Sequence, residues 1–253
     1  MNSESNALEW QVESLRLTAF VIGGVHDPKQ ADAWWNSTVG QQPEMDQHNR
    51  TNGLDQLAGK IFDGTCSLTL ASQPGRVDWI LSAAPSSELA GFPTMNCLED
   101  VLHKFKALLD SWVAVSPKLN RMAFGAVLRM PVENKEQGYV RIASLLPAIK
   151  LDAKGSSEFS YSINRPRKLK SDTELTINRL SHWAVVQIRS IVLPVIGFVP
   201  QQSITPEIIA CRLEIDISTD AERQVALETD KLPALFKELT EQTKEIATLG
   251  DIP

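Results

Sequence analysis

A period-two alternation of apolar and polar side chains recurs along this chain and restricts it to folds built around a half-buried sheet. In "SLRLTAFVI", residues 14–22, Leu15, Leu17, Ala19 and Val21 share one side, with Arg16 and Thr18 on the other. "TCSLTLAS" aligns Cys66, Leu68 and Leu70, and "RVDWILSA" aligns Val77, Trp79 and Leu81. "IIACRLEIDI", residues 208–217, aligns Cys211, Leu213, Ile215 and Ile217. Alternation of this kind marks strands with one face on a core and one face open. Gln73-Pro74-Gly75 joins two of these runs as a tight turn, since Pro presets φ and Gly accepts positive φ.

Helical periodicity separates the strands. Residues 97–113 place Leu98, Val101, Leu102, Phe105, Leu108, Leu109 and Trp112 at helical spacing. Asn96 and Glu99 resemble a capping box at its start. Asp27 fits an N-cap before Pro28 for a short helix through Trp34 and Trp35. Residues 37–56 read as a long polar loop. "RMAFGAVLRM" (121–130) reads as a strand, and 138–150 as a short helix broken at Pro147. "EFSYSINRPR" and "TELTINRL" read as a hairpin, and a final helix ends at Gly250. Residues 180–199 mix both periodicities, and their Val/Ile richness favours a strand. The expected class is α+β, with two ferredoxin-like, antiparallel sheet units and helices on one side of each. The units divide as 1–133, a βαββαβ unit, and 134–253, a second antiparallel sheet with a C-terminal helix.

Composition narrows the setting. The chain has 253 residues and a formal net charge of −6, so any nucleic-acid role must rest on a local basic patch. Three widely spaced cysteines, Cys66, Cys97 and Cys211, form no C-x-x-C pair and suit a reducing cytoplasm. The first residues carry no signal-peptide pattern, and Gln187, Arg189 and Pro194 interrupt the longest apolar stretch. A cytoplasmic protein without membrane contact is expected.

Three segments bear a family resemblance: the amphipathic helix feeding "LNRMAFGAVLRM", the hairpin "FSYSINRPRK…LTINRL", and "LEIDISTD" followed by a helix. In these, mainly over residues 97–253, the chain resembles an uncharacterised bacterial protein family of similar length with no established activity. The resemblance implies an α+β double-layer architecture and transfers no catalytic residue.

"INRPRKLKSD" gathers Arg165, Arg167, Lys168 and Lys170 around a turn. At the tip of a β-ribbon these cations can reach phosphates or an acidic protein surface. They can equally be the solvated charges that keep an edge strand from pairing. Asn-Arg recurs at 164–165 and 178–179, where the two amides would meet across the hairpin. Trp34 and Trp35 diverge by about 100° on a helix, so one can dock on the sheet while the other meets a partner. Glu99, Asp100 and His103 share a helix side and form a remote metal-ligand candidate. Arg212, Glu214 and Asp216 line the outer side of a strand.

No phosphate loop, dinucleotide fingerprint, nucleophile elbow or H-E-x-x-H motif occurs. No catalytic set and no cofactor are therefore expected. The leading expectation is a non-enzymatic binding or adaptor protein in a homo- or hetero-oligomer, through self-association or a protein partner. The alternatives are a nucleic-acid-binding or nuclease-complex subunit using residues 165–170, and a metal-assisted hydrolase.

Overall fold

The computed structural model describes residues 9–23, 27–49, 51, 53–84, 93–188, 207–223 and 225–252. The first half runs β1 (Gln11–Val21), α1 (Pro28–Val39), β2 (Met45–Asn49), β3 (Leu54–Ile61), β4 (Cys66–Gln73), β5 (Arg76–Ala83), α2 (Leu98–Ala114) and β6 (Leu119–Val132). The second runs α3 (Lys135–Leu145), β7 (Ser160–Asn164), β8 (Arg167–Lys168), β9 (Thr176–Ile188), β10 (Ile208–Thr219) and α4 (Leu232–Leu249). All ten strands join one antiparallel sheet of order β2-β3-β4-β5-β1-β6-β10-β9-β7, with β8 also on β9. Among the described residues no helix is long and apolar enough to cross a membrane.

The alternation decides what the sheet does with its two faces. Leu15, Leu17 and Ala19 of β1 lie opposite Ala126, Phe124 and Met122 of β6, and all are buried. Leu213, Ile215 and Ile217 of β10 continue that layer. The helices cover this face. Phe124 holds two of them, its ring 6.2 Å from Phe105 of α2 and 6.0 Å from Phe236 of α4. On the other face Arg16, Thr18 and Phe20 stand beside Asp78, Arg76 and Ile80 of β5 and beside Arg121, Ala123 and Gly125 of β6. Asp78 accepts from Arg16, Thr18 and Arg76, which satisfies a buried carboxylate in the middle of that face.

Trp34 and Trp35 both enter the core. Trp35 stacks on Trp79 of β5 at 6.3 Å, while Trp34 meets Trp112 of α2 edge-on at 5.9 Å. The angular divergence of two adjacent side chains is met by two neighbours, the sheet below and α2 beside. The solvent-facing indole expected as a partner contact is therefore missing from this pair; the two are 9% and 0% exposed.

Two local expectations differ from the structure, and a third holds over the residues described. Residues 37–56 contain β2 and the start of β3 instead of a continuous loop. β2 reads "MDQHN" and is exposed over nearly its whole length, so backbone pairing with β3 makes it a strand without any apolar alternation. Helix α2 has Cys97 at its N-cap and no side-chain cap. Its Leu98 N–H donates instead to the Trp10 carbonyl at 3.0 Å, and Asn96 pairs by its backbone with Val12. The start of β1 and the residue before it thus supply what a capping box would. Residues 180–188 are strand, within β9, while 189–199 lie outside the described residues.

Phe105 is fully buried beside Phe124. Phe105→Asp should cost several kcal/mol, because it places an unpaired charge in the core. A denaturant midpoint equal to that of the parent would contradict this packing.

Candidate functional site

The basic turn is a place where two distant parts of the chain meet. Arg165 follows β7 and lies beside Arg179 of β9, to whose carbonyl its N–H donates. Both face the C-terminal end of α4. Gly250 ends that helix at φ +79°, and a Cβ there would run into the Leu145 carbonyl. Glycine is therefore required by both conformation and space. The turn lets Asp251 N–H donate to that carbonyl at 2.9 Å and points the Asp251 carboxylate back at the sheet.

Arg165 grips Asp251 with two bonds, Nε to Oδ1 at 2.7 Å and Nη2 to Oδ2 at 2.9 Å. The Tyr161 hydroxyl donates to Oδ2 at 3.0 Å. Paired donors in this geometry are the strongest form of Arg–carboxylate contact. Arg167 reaches Glu245 at 2.7 Å, and Arg179 reaches the same oxygen at 3.2 Å. About two helical turns earlier on α4, Glu238 accepts from the Lys170 and Ser171 backbone N–H groups and from the Ser171 hydroxyl. Three carboxylates of the C-terminal segment therefore hold the 165–171 turn. The Asn164 and Asn178 amides meet at 2.9 Å, and Asn164 also accepts from the Arg179 N–H.

The electrostatics follow the contacts. The Arg165 hydrogen bond holds the Asp251 carboxyl below its ordinary range, against burial, with help from Tyr161. Burial pulls Glu238 upward, but the Ser171 hydroxyl and the two backbone donors bring it below its usual value. Burial lowers Arg179, which is 2% exposed. Among the described residues, its Nε and Nη1 find no hydrogen-bond acceptor. Of the four cations singled out in the sequence, Arg165 and Arg167 are committed to α4 and its C-terminal turn, while Lys168 and Lys170 remain exposed.

The helical trio is dispersed in its bonding. Glu99 pairs with Lys244 of α4, Asp100 lines a cavity of about 130 Å³ with Lys104 and Cys66, and His103 is exposed. The strand charges form a row across three strands that the sequence did not reveal. The Ser160 hydroxyl lies 2.7 Å from His182 Nε2, and His182 Nδ1 lies 3.5 Å from Glu214. Contacts in this order can hand a proton from hydroxyl to imidazole. Here Glu214 is shared with Arg212, which draws its charge away from the ring. The signal lay in pairing: Ser162, His182 and Glu214 are opposite one another, and Ser160 is two residues from that row.

No family model, curated protein or solved structure matches this chain. Its functional reading rests on its own residues.

Two outcomes test the turn. Asp251 and Glu238 have folded pKa values below their unfolded ones. The stability they contribute is present above about pH 4 and is lost as pH falls through the folded values. Asp251→Asn should flatten that acid-side loss. At neutral pH it should cost about 2 kcal/mol, the scale of a hydrogen bond to a charged group. Urea unfolding of parent and variant from pH 7 to pH 2 measures both. Identical pH profiles would show that Asp251 is not held as described.

Proposed function

We propose that this is a non-enzymatic binding or adaptor protein that works as a homo-oligomer, two copies meeting through their open sheet faces. One observation carries the reading. A ten-stranded sheet has its helices on one face, and the other face is a broad surface of mixed chemistry. Ile80, Val127 and Ala184 are only partly covered there, and Leu180 is 40% exposed. Small residues, Ser67, Thr69, Ala71, Ala123 and Gly125, keep the surface low enough for a second sheet to approach. Face-to-face sheets need only about 10 Å between them.

Charge favours a second copy as the occupant. Around β1, β5 and the Arg121 end of β6 the face carries Arg16, Arg76 and Arg121 against one carboxylate, Asp78. Toward β10 it carries Glu13, Glu214 and Asp216 against Arg129 and Arg212. A two-fold axis between the patches sets each against the other. The basic turn offers less to a nucleic acid, because two of its four cations already bind α4 and its C-terminal turn.

The order β4-β5-β1-β6, with α1 and α2 as crossovers, supports a ferredoxin-like first unit ending near residue 133. The order β6-β10-β9 with α3 and α4 supports a second, related unit fused along the same sheet. Three free cysteines support a reducing cytoplasmic setting.

Mass measurement in solution tests this function. The parent should run as a dimer. Val127→Arg with Leu180→Arg should give a monomer whose melting temperature stays within a few degrees, since exposed changes usually cost less than about 0.5 kcal/mol. A parent that is monomeric at every concentration up to the millimolar range would overturn the proposal.

A further inference from the structure

At the edge of the sheet farthest from α4, three metal-ligating side chains converge from two elements. Asp32 comes from α1, where it is half-buried, and the exposed Asp46 and His48 come from β2. One ligand atom of each lies within 4.8 Å of the others. His48 and Asp46 are two residues apart, so alternation puts both on the side of the sheet that carries α1. Asp32 sits above them, one helical turn before Trp35, whose ring is stacked on Trp79 and whose Nε1–H donates to the Gln41 carbonyl. The packing of Trp35 thus fixes the helix side that carries Asp32 relative to the strand.

A fourth residue, outside the ligand set, decides what the imidazole presents. Asp55 of β3 lies opposite His48, is 1% exposed, and contacts His48 Nδ1 at 2.7 Å. A buried carboxylate there favours the tautomer with the proton on Nδ1. The Nε2 lone pair is then turned outward, 2.8 Å from an Asp46 oxygen. When Nε2 carries no proton, three groups that only accept, imidazole Nε2 and two carboxylates, face one point. Acceptors at that spacing repel unless a cation lies between them. Among the described residues no lysine or arginine forms an ion pair with Asp32 or Asp46. A carboxylate behind the far nitrogen of a histidine is also the arrangement that orients metal-binding imidazoles in general.

We propose that Asp32, Asp46 and His48 bind one divalent transition-metal ion of the zinc class, with Asp55 orienting the histidine. One nitrogen and two carboxylate oxygens suit a borderline ion better than calcium or magnesium, which take oxygen ligands. Zinc–ligand bonds of about 2.0–2.2 Å place neighbouring ligand atoms about 3–3.5 Å apart. The present spacing needs a shift of a few tenths of an ångström between His48 and Asp46. Three protein ligands leave at least one coordination position to water. The ion ties β2, the outermost strand with its free edge exposed, to α1. It closes the open end of the sheet much as the arginine–carboxylate contacts close the other.

Zinc titration of the tag-free chain by calorimetry tests this, with the melting temperature and amide exchange of residues 45–49 as independent readouts. One ion per chain is expected. Binding should be at least about tenfold weaker in His48→Ala and in Asp32→Asn. Asp32→Asn is the cleaner variant, because it keeps the shape of a half-buried side chain and leaves the Asp55–His48 contact alone. Zinc should slow exchange in 45–49 in the parent and not in Asp32→Asn. A parent that takes up no zinc overturns the proposal, leaving a proton on Nε2 as the only cation between the groups. A parent that binds zinc as tightly as both variants overturns it too, because the ion then sits elsewhere.

Discussion

Strand β6 is the constraint on which the rest of the structure depends. It runs from Leu119 to Val132 and gives one edge to β1 and the other to β10. Every strand pairing between the two halves of the sheet passes through that doubly paired strand. Its inward residues, Met122, Phe124, Ala126 and Leu128, are buried under α2 and α4. Gly125 faces the other way, where a Cβ would make only ordinary contact with the Ile215 carbonyl and Arg16. A strand paired on both edges and covered on one face leaves only its outer face for function.

The two ends of the sheet meet their exposed edges differently. At the β7–β9 end, arginines on the sheet meet carboxylates on α4, and Gly250 makes the turn that delivers Asp251. Cations near the C-terminal end of α4 also complement its dipole. A cluster that looks like a nucleic-acid hand along the sequence is thereby largely consumed within the fold. At the β2 end the groups are acidic, and the charge they need is not supplied by a described lysine or arginine. Between the two ends lies the open face, with its separated basic and acidic patches.

Much of this was legible in the sequence. The alternating runs placed β1, β4, β5, β6 and β10 because one buried face imposes a strict period of two. The Pro74-Gly75 turn and the Gly250 stop stand where backbone conformation demands them. What stayed hidden was set by partners far apart in the chain. Arg165 and Asp251 are 86 positions apart, so no local pattern shows that they neutralise each other. β2 has no apolar alternation to read, and so the Asp46–His48 pair sat in an expected loop. The Trp34–Trp35 pair seemed too wide for one core, because the sequence does not show that α2 lies alongside α1.

The claim that β6 fuses both halves into one sheet is tested most directly by native-state hydrogen exchange across increasing denaturant. Amides of β6 that pair with β1 and those that pair with β10 should exchange only through the same global opening, with one free energy and one denaturant slope. If the β10, β9 and α4 amides open together at low denaturant while β1, β5 and β6 stay protected, the halves are separate cooperative units and the account is contradicted.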